Sequence, residues 1–411
     1  MSIVIVGNGP AAISAIESIR MVGYSKPIIL VTKESIRAYT PCFLADYVKG
    51  SATKHQLFLR DEDFYNRKGV KVIYGNAVEA VDTEYRQVFL EDGSSLRYER
   101  LLLACGANPV IPNIEGISQE GVYTFKSIND AEKIKEDLKE GTKTIIIGGG
   151  FIGLEIAEAL KTKGLDITII EKEHQLLPKT FDYEGAFLIK EHLQKHGIDV
   201  QTSTEVVSIE RDIRGMLTGI YTKIGEFIPC NAIVLTLGVK PNIEVVKDSP
   251  IETKKGVVVD TSMRTSVSGV FAAGDLAQVH TDNGSMYLPT HPVAIITGRL
   301  AGENMVGGKG KMGNLPINTN VLKLFGMYVC SIGDTSLKRY ERIKHKGMFK
   351  KLFFHSNGVI KGAQIIGSAE KAGIFLSAIQ KKTKIDKELI FTSNLTILNI
   401  KKGVDKGGYN F

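Results

Sequence analysis

Two stretches of the chain share one pattern of apolar and polar positions. Residues 2–23 (SIVIVGNGPAAISAIESIRMVG) and 143–164 (KTIIIGGGFIGLEIAEALKTKG) each begin with a β-branched apolar run, pass through glycines, and continue with apolar residues at helical spacing. A further apolar run follows each of them, at residues 27–34 and 166–173. This order predicts a strand–helix–strand unit used twice, and therefore an α/β protein with two Rossmann-like dinucleotide-binding domains.

The other segments predict the elements around these two units. We expect a hairpin over 81–98 that turns at Asp92-Gly93, a helix over 290–308, and strands at residues 70–75, 101–109, 206–210, 232–242 and 269–277. A linker, GGKGKMGN, follows at 307–314. Beyond it, strands at 351–356 and 359–367 and a helix near 371–382 predict a small α+β domain.

Each glycine turn has the spacing that lets backbone amides approach a pyrophosphate. The residues of the two turns are Gly7, Gly9, Pro10, Ala11 and Ala12 in the first, and Gly148, Gly150, Phe151, Ile152 and Gly153 in the second. Small residues permit the tight turn, and the following helix directs its N–H groups at the phosphates. Glu171 ends the strand after the second turn, where a carboxylate binds ribose hydroxyls and repels a 2′-phosphate, so NAD is favoured over NADP.

Length and composition limit the class of protein. A chain of 411 residues is expected to form two or three domains, and 43% apolar with 24% charged residues is typical of a globular protein. The four cysteines are scattered, so we predict no disulfide framework, iron–sulfur cluster or other bound metal. The amino terminus lacks the features of a signal peptide and no apolar run could span a membrane, so we expect a cytoplasmic protein.

The net charge of +7 is concentrated near the carboxyl terminus. Residues 313–411 contain 17 Lys and Arg against 6 Asp and Glu, which gives +11 there and −4 for residues 1–312. A solvated lysine-rich surface explains this charge, and docking of an acidic protein or an anionic substrate is the alternative. Nucleic-acid binding is not expected, because no aromatic platform or known binding module accompanies the charge.

The order of five motifs gives the chain a family resemblance. It is similar to the pyridine nucleotide–disulfide oxidoreductases in GxGxxA, LLLACGANP, GGGFIGLE, TLGVKPN and VFAAGDLA, which extend over most of the chain. The resemblance implies FAD at the first glycine turn and a nicotinamide cofactor at the second. It also implies an FAD domain from residues 1–112 and 245–312, an NAD domain from 113–244, and a basic domain from 313–411 that forms a homodimer.

The resemblance also assigns individual residues to the cofactors. Asp275 matches the aspartate that binds the flavin's ribityl chain, and Glu155 matches a contact of the nicotinamide ribose. Thr32 stands where relatives often carry a ribose-binding carboxylate, which leaves neighbouring residues as candidates. Cys105 replaces the threonine of the family's Ala-Thr-Gly and is interpreted as a small buried thiol. The other contacts that the resemblance implies are Lys33, Glu34, Ala104, Gly106, Gly238 and Gly274.

Cys42, in AYTPCFLADY, is the one catalytic candidate. Thr40 suits an N-cap and Pro41 the first helical position, so Cys42 is expected in the first turn, where N–H groups and the helix dipole favour a thiolate. The stretch resembles the single-cysteine branch of the family, which includes NADH oxidases, peroxidases and coenzyme A disulfide or polysulfide reductases. A buried, inert thiol is the alternative.

Together these features predict an enzyme that passes hydride from NADH to FAD and then, through Cys42, to oxygen, peroxide, coenzyme A disulfide or polysulfide. Two alternatives stay open: an electron-transfer subunit between NAD and an acidic ferredoxin-like or iron–sulfur partner, and a redox-sensing interaction protein. His192 and His196 have the spacing of a metal pair, but a solvated helix face is the better interpretation because no third ligand accompanies them. His291 either approaches the flavin or packs at a helix start.

Overall fold

The structure is a computed structural model that describes residues 2–117, 119–281, 284–313, 316–338, 340–345, 348–370 and 372–384. The chain divides into two compact units. The first unit comprises Met1–Pro109, Lys126–Ile128 and Val239–Pro316, and the second comprises Val110–Phe125, Asn129–Gly238 and Ile317–Phe411. None of the helices in the described part of the chain combines the length and apolarity that crossing a bilayer requires.

The α-helices of the described residues are α1 (Pro10–Met21), α2 (Leu44–Lys49), α3 (Lys54–Leu57), α4 (Phe64–Arg67), α5 (Ile128–Asp137), α6 (Phe151–Thr162), α7 (Tyr183–Lys195), α8 (His291–Met305) and α9 (Ala372–Gln380). Short 3-10 helices are found at Pro41–Phe43, Ile243–Val246 and Gly274–Leu276.

The β-strands of the same residues are β1 (Ile3–Val6), β2 (Ile28–Val31), β3 (Val70–Ile73), β4 (Val78–Asp82), β5 (Gln87–Leu90), β6 (Ser95–Arg97), β7 (Arg100–Leu103), β8 (Ala107–Pro109), β9 (Val122–Thr124), β10 (Lys143–Ile147), β11 (Asp166–Ile170), β12 (Asp199–Gln201), β13 (Val206–Arg211), β14 (Leu217–Thr222), β15 (Phe227–Pro229), β16 (Ala232–Leu235), β17 (Val239–Pro241), β18 (Val257–Val259), β19 (Val270–Ala272), β20 (Ala277–Thr281), β21 (Gly284–Met286), β22 (Thr319–Leu324), β23 (Met327–Gly333), β24 (Tyr340–His345), β25 (Met348–Phe354) and β26 (Ile360–Gly367).

A five-stranded parallel sheet in the order β19-β7-β1-β2-β3 forms the centre of the first unit. Strand β1 is an uninterrupted buried run, IVIV, because a parallel strand is covered on both faces. Val6 pairs with Val31 of β2 on one side and with Leu103 of β7 on the other. The carboxyl ends of these three strands therefore meet at one edge, which is where ligands bind in such sheets.

Helices α1 and α8 cross closely in this unit. A Cβ on Gly298 would lie 2.1 Å from the carbonyl oxygen of Ala11, and a Cβ on Gly302 would lie 2.5 Å from that of Ala15. Both contacts are too short for any residue but glycine, so the two glycines let the helices touch backbone to backbone. This contact holds the start of α1, which follows the first glycine turn.

Among the described residues, the second unit contains a parallel sheet, a small antiparallel sheet in the order β13-β14-β15, and a larger antiparallel one. The parallel sheet has the order β12-β11-β10-β16-β9, and the larger antiparallel sheet, from the carboxyl-terminal part of the chain, has the order β22-β23-β26-β25-β24. Helix α9 packs on the antiparallel sheet, and Cys330, Leu352 and Phe375 belong to the apolar core between them. The carboxyl-terminal residues thus have a core of their own, as an α+β pattern requires.

The predicted α/β fold and both strand–helix–strand units are confirmed. Three predicted strands are each interrupted at a left-handed glycine. Gly106, with φ of 68°, separates β7 from β8, and Gly238, with φ of 93°, separates β16 from β17. The strand predicted at 269–277 ends with β19, because Gly274, with φ of 71°, begins a 3-10 turn. The expected hairpin over 81–98 is a three-stranded meander, β4-β5-β6, in which Asp92-Gly93 forms the second turn. The division into three domains stays a prediction.

Candidate functional site

The first glycine turn joins β1 to α1 at the carboxyl edge of the first parallel sheet. Gly7 has a φ of 103°, and a Cβ there would lie 2.3 Å from the carbonyl oxygen of Ala104, at the end of the neighbouring strand. Gly9 is the N-cap of α1 and has no side-chain cap, and a Cβ on it would meet no atom within 4 Å. The turn therefore combines close packing on one side with open space beside the first N–H groups of a helix, which fits a pyrophosphate.

The residues that follow β2 differ in how well their side chains could bind a ribose hydroxyl. Thr32 is buried, and Lys33 is exposed, with its ammonium 3.4 Å from the side-chain oxygen of Asn108. Glu34 is partly buried, and its carboxylate accepts a 2.9 Å hydrogen bond from the Tyr39 hydroxyl. Because Tyr39 in turn accepts from the Ile128 amide at 3.1 Å, Glu34 is the strand-end carboxylate whose position is fixed.

Ala104, Cys105 and Gly106 follow β7 and lie against the first glycine turn. The Cα of Cys105 would be 2.9 Å from a Cβ on Gly7, and its carbonyl accepts a 2.8 Å hydrogen bond from Asn242. Burial raises the pKa of the Cys105 thiol to about 11, so this sulfur stays protonated at neutral pH. A Cβ on Gly106 would meet nothing within 4 Å. Cys105 therefore has the properties of a thiol that packs against its neighbours, and there is open space beside the adjacent Gly106.

Gly274 and Asp275 form a 3-10 turn against α1 and α8. A Cβ on Gly274 would lie 3.1 Å from that of Ala11, so the turn packs close to the first glycine turn. The Asp275 carboxylate is 3.1 Å from the ammonium of Lys126, and its carbonyl accepts a hydrogen bond from the Tyr287 hydroxyl at 3.1 Å. Lys126 was not singled out from the sequence, because no local motif connects it with the Gly-Asp turn.

His291 begins α8 and lies near the same carboxylate. Burial lowers the pKa of His291, and the negative charge of Asp275 opposes that effect. The Nδ1 atom of His291 is buried and has no hydrogen-bond partner among the described residues. A buried polar atom of this kind indicates a missing ligand, so His291 and the open glycines together fit a polar cofactor such as FAD.

Cys42 lies in the 3-10 helix that leads into α2. Thr40 is the N-cap, its hydroxyl accepts a 3.3 Å hydrogen bond from the Cys42 amide, and Pro41 occupies the first turn. The predicted cap and proline positions are therefore confirmed. Cys42 is exposed, whereas Cys230 and Cys330 are buried and Cys105 is intermediate. Cys42 is thus the sulfur that an external acceptor can reach most easily.

The second glycine turn repeats the design of the first with tighter packing. A Cβ on Gly148 would lie 2.7 Å from the Thr236 carbonyl oxygen, and a Cβ on Gly153 would lie 2.1 Å from the Gly148 carbonyl oxygen. Gly150 is the N-cap of α6, and a Cβ on it would meet no atom within 4 Å. The dinucleotide motif requires both features: a third glycine, Gly153, that packs closely, and a middle glycine, Gly150, with open space beside it.

Glu171 follows β11 and contacts the second turn directly. Its carboxylate oxygens accept hydrogen bonds from the amides of Gly149, at 2.8 Å, and Glu173, at 2.9 Å. Each oxygen retains a free lone pair, so a ribose hydroxyl can still bind there. Glu155 is partly buried on α6, and a Cβ on Gly238 would meet no atom within 4 Å.

His192 and His196 of α7 pack on a carboxyl-terminal hairpin in the second unit. His192 Nε2 is 2.9 Å from the Leu324 carbonyl oxygen, and the His196 ring stacks on Phe325 with centroids 4.3 Å apart. The solvated-face interpretation therefore holds only for His196, which is exposed, whereas His192 is partly covered. The described residues contain no group of three or more side chains suited to hold a metal ion.

Comparisons with known proteins agree with this geometry. Residues 1–298 match the pyridine nucleotide-disulphide oxidoreductase family. The chain is 30% identical over 390 residues to NADH-dependent phenylglyoxylate dehydrogenase subunit epsilon of Aromatoleum evansii, covering 93% of this chain and 92% of that protein. It is 28% identical to an NADH oxidase of Methanocaldococcus jannaschii, covering 94% and 92%.

A solved structure with a similar fold is the NAD-dependent persulfide reductase from A. fulgidus. The TM-score is 0.86 at 26% sequence identity, and the match covers 99% of this chain and 83% of that one. The chain therefore belongs to the pyridine nucleotide-disulphide oxidoreductase family, and it is an enzyme that uses FAD and NADH to deliver electrons to an acceptor.

Proposed function

We propose that the first glycine turn holds FAD, that the second holds NADH, and that electrons leave through Cys42. The observation that carries this proposal is the pair of open helix starts. Gly9 and Gly150 both leave space where a Cβ would stand, and a carboxylate lies after the next strand in each case: Glu34 in the first unit and Glu171 in the second. Two such sites in one chain suit two different adenine dinucleotides.

The residues of the first unit supply binding groups for FAD. The start of α1 offers N–H groups to the pyrophosphate, Glu34 offers acceptors to the adenosine ribose, and Asp275 offers acceptors to the ribityl hydroxyls. Lys126 holds the Asp275 carboxylate in place. When bound, FAD supplies the hydride-accepting chemistry, and the protein supplies orientation and electrostatics.

In the second unit, charge determines which nicotinamide cofactor binds. The Glu171 carboxylate lies over the Gly149 amide, where it accepts ribose hydroxyls and repels a 2′-phosphate. Gly153 lets α6 approach the turn. Glu155 lies in the first turns of the same helix, and the family resemblance assigns it to the nicotinamide ribose. These groups favour NADH over NADPH.

Cys42 acts as the nucleophile toward a sulfur acceptor. Its thiolate attacks one sulfur of a disulfide or polysulfide, an S–S bond to Cys42 forms as the original S–S bond breaks, and the other sulfur leaves as a thiolate. The two electrons that later release Cys42 from this mixed disulfide come from NADH. With a peroxide, the thiolate attacks the O–O bond, Cys42 becomes a sulfenic acid, and a hydroxide or alkoxide leaves. The exposure of Cys42 supports this role.

A second candidate function is electron exchange between NADH and a protein partner. The similarity over 92% of a protein named as a dehydrogenase subunit supports it. The carboxyl-terminal residues carry a formal charge of +11, which suits an acidic ferredoxin-like or iron–sulfur partner. In this function Cys42 is passive.

One experiment separates the two functions. Protein reduced with NADH under anaerobic conditions is offered oxygen, peroxide, coenzyme A disulfide, polysulfide and a ferredoxin, in wild type and in Cys42→Ser, with Cys230→Ala as a control that removes a buried thiol. The Cys42 mechanism predicts that only Cys42→Ser loses disulfide, polysulfide or peroxide turnover. Salt-sensitive ferredoxin reduction that is equal in all three proteins supports the electron-transfer subunit instead.

Two further expectations belong to this proposal, and the redox-sensing alternative has a test of its own. The carboxyl-terminal residues from 313 form a separate domain and a homodimer interface, which light scattering of the purified protein tests. The protein is located in the cytoplasm. The redox-sensing alternative predicts negligible turnover with every acceptor together with NADH-dependent oligomerisation, and the same purified protein tests it.

A further inference from the structure

Residues 175–182, which we call the 175–182 segment, pack on the second glycine turn. The Leu177 amide donates a 3.0 Å hydrogen bond to the Gly149 carbonyl, and a Cβ on Gly149 would lie 2.6 Å from the Leu176 side chain. Gly149 also donates its amide to Glu171. The segment therefore supports the same backbone that positions the ribose-binding carboxylate.

Leu177 has an unfavourable backbone conformation. Its φ is 50°, in the left-handed region, and it precedes Pro178. A bulky residue with positive φ is a genuine outlier, and such strain persists only when the surroundings over-determine it. Leu177 is 2% exposed and its carbonyl accepts from the amides of Thr180 and Phe181. The rest of the segment must therefore be held firmly from outside.

Residues of the carboxyl-terminal sheet and of the turn after β23 bind the segment at Thr180. The Thr180 carbonyl accepts hydrogen bonds from the Gln364 side-chain amide at 3.0 Å and from the Thr335 hydroxyl at 3.0 Å, and Ser331 contributes a longer one at 3.4 Å. Gln364 is 1% exposed and its other polar atom, Oε1, has no partner among the described residues. A buried amide that is only half satisfied, and that gives its N–H to this carbonyl, indicates a specific positioning contact.

A second contact lies two residues further along, at Asp182. One oxygen of its carboxylate accepts from the Gly185 amide at 3.0 Å and so caps α7, and the other is bonded to the ammonium of Lys351. Lys351 is 6% exposed, and its ammonium also lies 3.5 Å from the centroid of the Tyr340 ring. A lysine is rarely buried unless it is paired, so this ion pair fixes the end of the segment against β25.

We propose that the carboxyl-terminal sheet positions the NADH site, with Gln364 and Lys351 as positioning residues that act through the 175–182 segment on Gly149 and Glu171. This inference rests on the proposed NADH site at the second glycine turn. Neither residue touches the cofactor; both keep the segment in the conformation that presents the Glu171 carboxylate to the adenosine ribose. The sheet therefore sets nicotinamide cofactor affinity.

The test measures binding of NAD⁺ to the oxidised, FAD-loaded full chain by calorimetry, beside steady-state kinetics with NADH. The variants are Gln364→Leu, which deletes one hydrogen bond at a half-satisfied amide, and Lys351→Met, which keeps the length of the side chain. Lys323→Met is the matched control, because Lys323 is an exposed lysine of the same sheet that also lies near a tyrosine ring, that of Tyr328.

Both variants are expected to raise the Kd of NAD⁺ and the KM of NADH by about fivefold or more, with kcat and FAD content unchanged. Lys323→Met is expected to change neither constant. The proposal is overturned if Gln364→Leu and Lys351→Met bind NAD⁺ with the affinity of wild type. It is also overturned if these variants have a lower melting temperature but the same KM for NADH. Glu171→Gln separates the two failures: if it alone weakens NAD⁺ binding, the positioning role fails, and if it also leaves binding unchanged, the assignment of the NADH site fails.

Discussion

The ammonium of Lys126 lies 3.1 Å from the carboxylate of Asp275, at the Gly-Asp turn beside the first glycine turn. Both side chains are largely covered, with 28% and 18% of their surfaces exposed. An ion pair of this kind orients the carboxylate, which is what a ribityl-binding group needs.

Removing the cation from this pair should weaken FAD retention. In Lys126→Met the Asp275 carboxylate loses its partner, and we expect the Kd of FAD for the apoprotein to rise about tenfold. Fluorescence titration of the apoprotein with FAD measures this constant. Lys71→Met, at an exposed position of β3, is the control and should bind FAD as wild type does. Equal FAD affinity in all three proteins contradicts the positioning role of Lys126.

Neutralising Glu171 should change the choice between NADH and NADPH. Glu171→Gln keeps a hydrogen-bond acceptor for the Gly149 amide, loses the acceptor of the Glu173 amide, and removes the charge that repels a 2′-phosphate. The ratio of kcat/KM for NADPH to that for NADH is expected to rise about tenfold. Glu173→Gln, an exposed carboxylate two residues away, should leave the ratio near that of wild type. A ratio that moves equally in both variants argues for a general charge effect.

Of two alanine substitutions at the second glycine turn, only one should lower the stability of the protein. Gly153→Ala places a Cβ against the Gly148 carbonyl oxygen, 2.1 Å away in the unrelaxed geometry, and should destabilise the protein by about 1–3 kcal/mol. Gly150→Ala meets open space at a φ of −82°, so it should unfold like wild type yet lose NAD⁺ binding, because the methyl group occupies the phosphate space. Denaturant unfolding and calorimetry test both. If Gly150→Ala binds NAD⁺ as tightly as wild type, the pyrophosphate does not bind at this turn.

The thiols should differ in their reactivity toward iodoacetamide at neutral pH. Cys42 is exposed, whereas burial raises the pKa of Cys105 and Cys330 to about 11 and that of Cys230 to about 12. We therefore expect fast labelling of a single site, lost in Cys42→Ser, as measured by intact mass and peptide mapping. Fast labelling of Cys230 or Cys330 in the folded protein contradicts their burial, and fast labelling of Cys105 contradicts its raised pKa.

The same raised pKa values predict a loss of stability at alkaline pH. An ordinary thiol has a pKa of about 8.5, so above that pH the unfolded chain loses protons that the folded chain keeps. The contribution of these thiols to the free energy of unfolding should be constant up to about pH 8.5 and then decrease as the pH rises toward their folded-state pKa values. Denaturant titrations across this range test the effect, and Cys230→Ala should flatten the slope. A stability that rises above that pH contradicts it.

Sequence reasoning located the parts of the site that depend on local spacing. The glycines of both turns, the cap at Thr40 and the carboxylate at Glu171 follow from rules that act over a few residues, and the structure has each where its motif requires. Gly106 and Gly238 were within predicted strands instead, because an apolar run does not reveal that one glycine takes a left-handed conformation and ends the strand.

The contacts that the sequence could not provide are between distant segments. Lys126 and Asp275 are 149 residues apart, and Gln364 and Thr180 are 184 residues apart. No sequence periodicity connects such pairs, because each contact depends on how helices and strands that are distant in the sequence pack in the folded protein. The carboxylate after β2 is an intermediate case. Glu34 was a candidate by position and, unlike Lys33, can accept hydrogen bonds from a ribose, but the hydrogen bond from Tyr39 that holds it is visible only in the structure.

An anaerobic titration of the purified protein with NADH tests most directly the claim that one chain holds both dinucleotides. Wild type should be isolated yellow, or become yellow after reconstitution with FAD, and equimolar NADH should bleach the absorption band of the oxidised flavin. Gly9→Ala should lack the flavin, and Gly150→Ala should retain it without rapid bleaching. A protein that stays colourless with FAD, or whose flavin NADH does not reduce, contradicts the account.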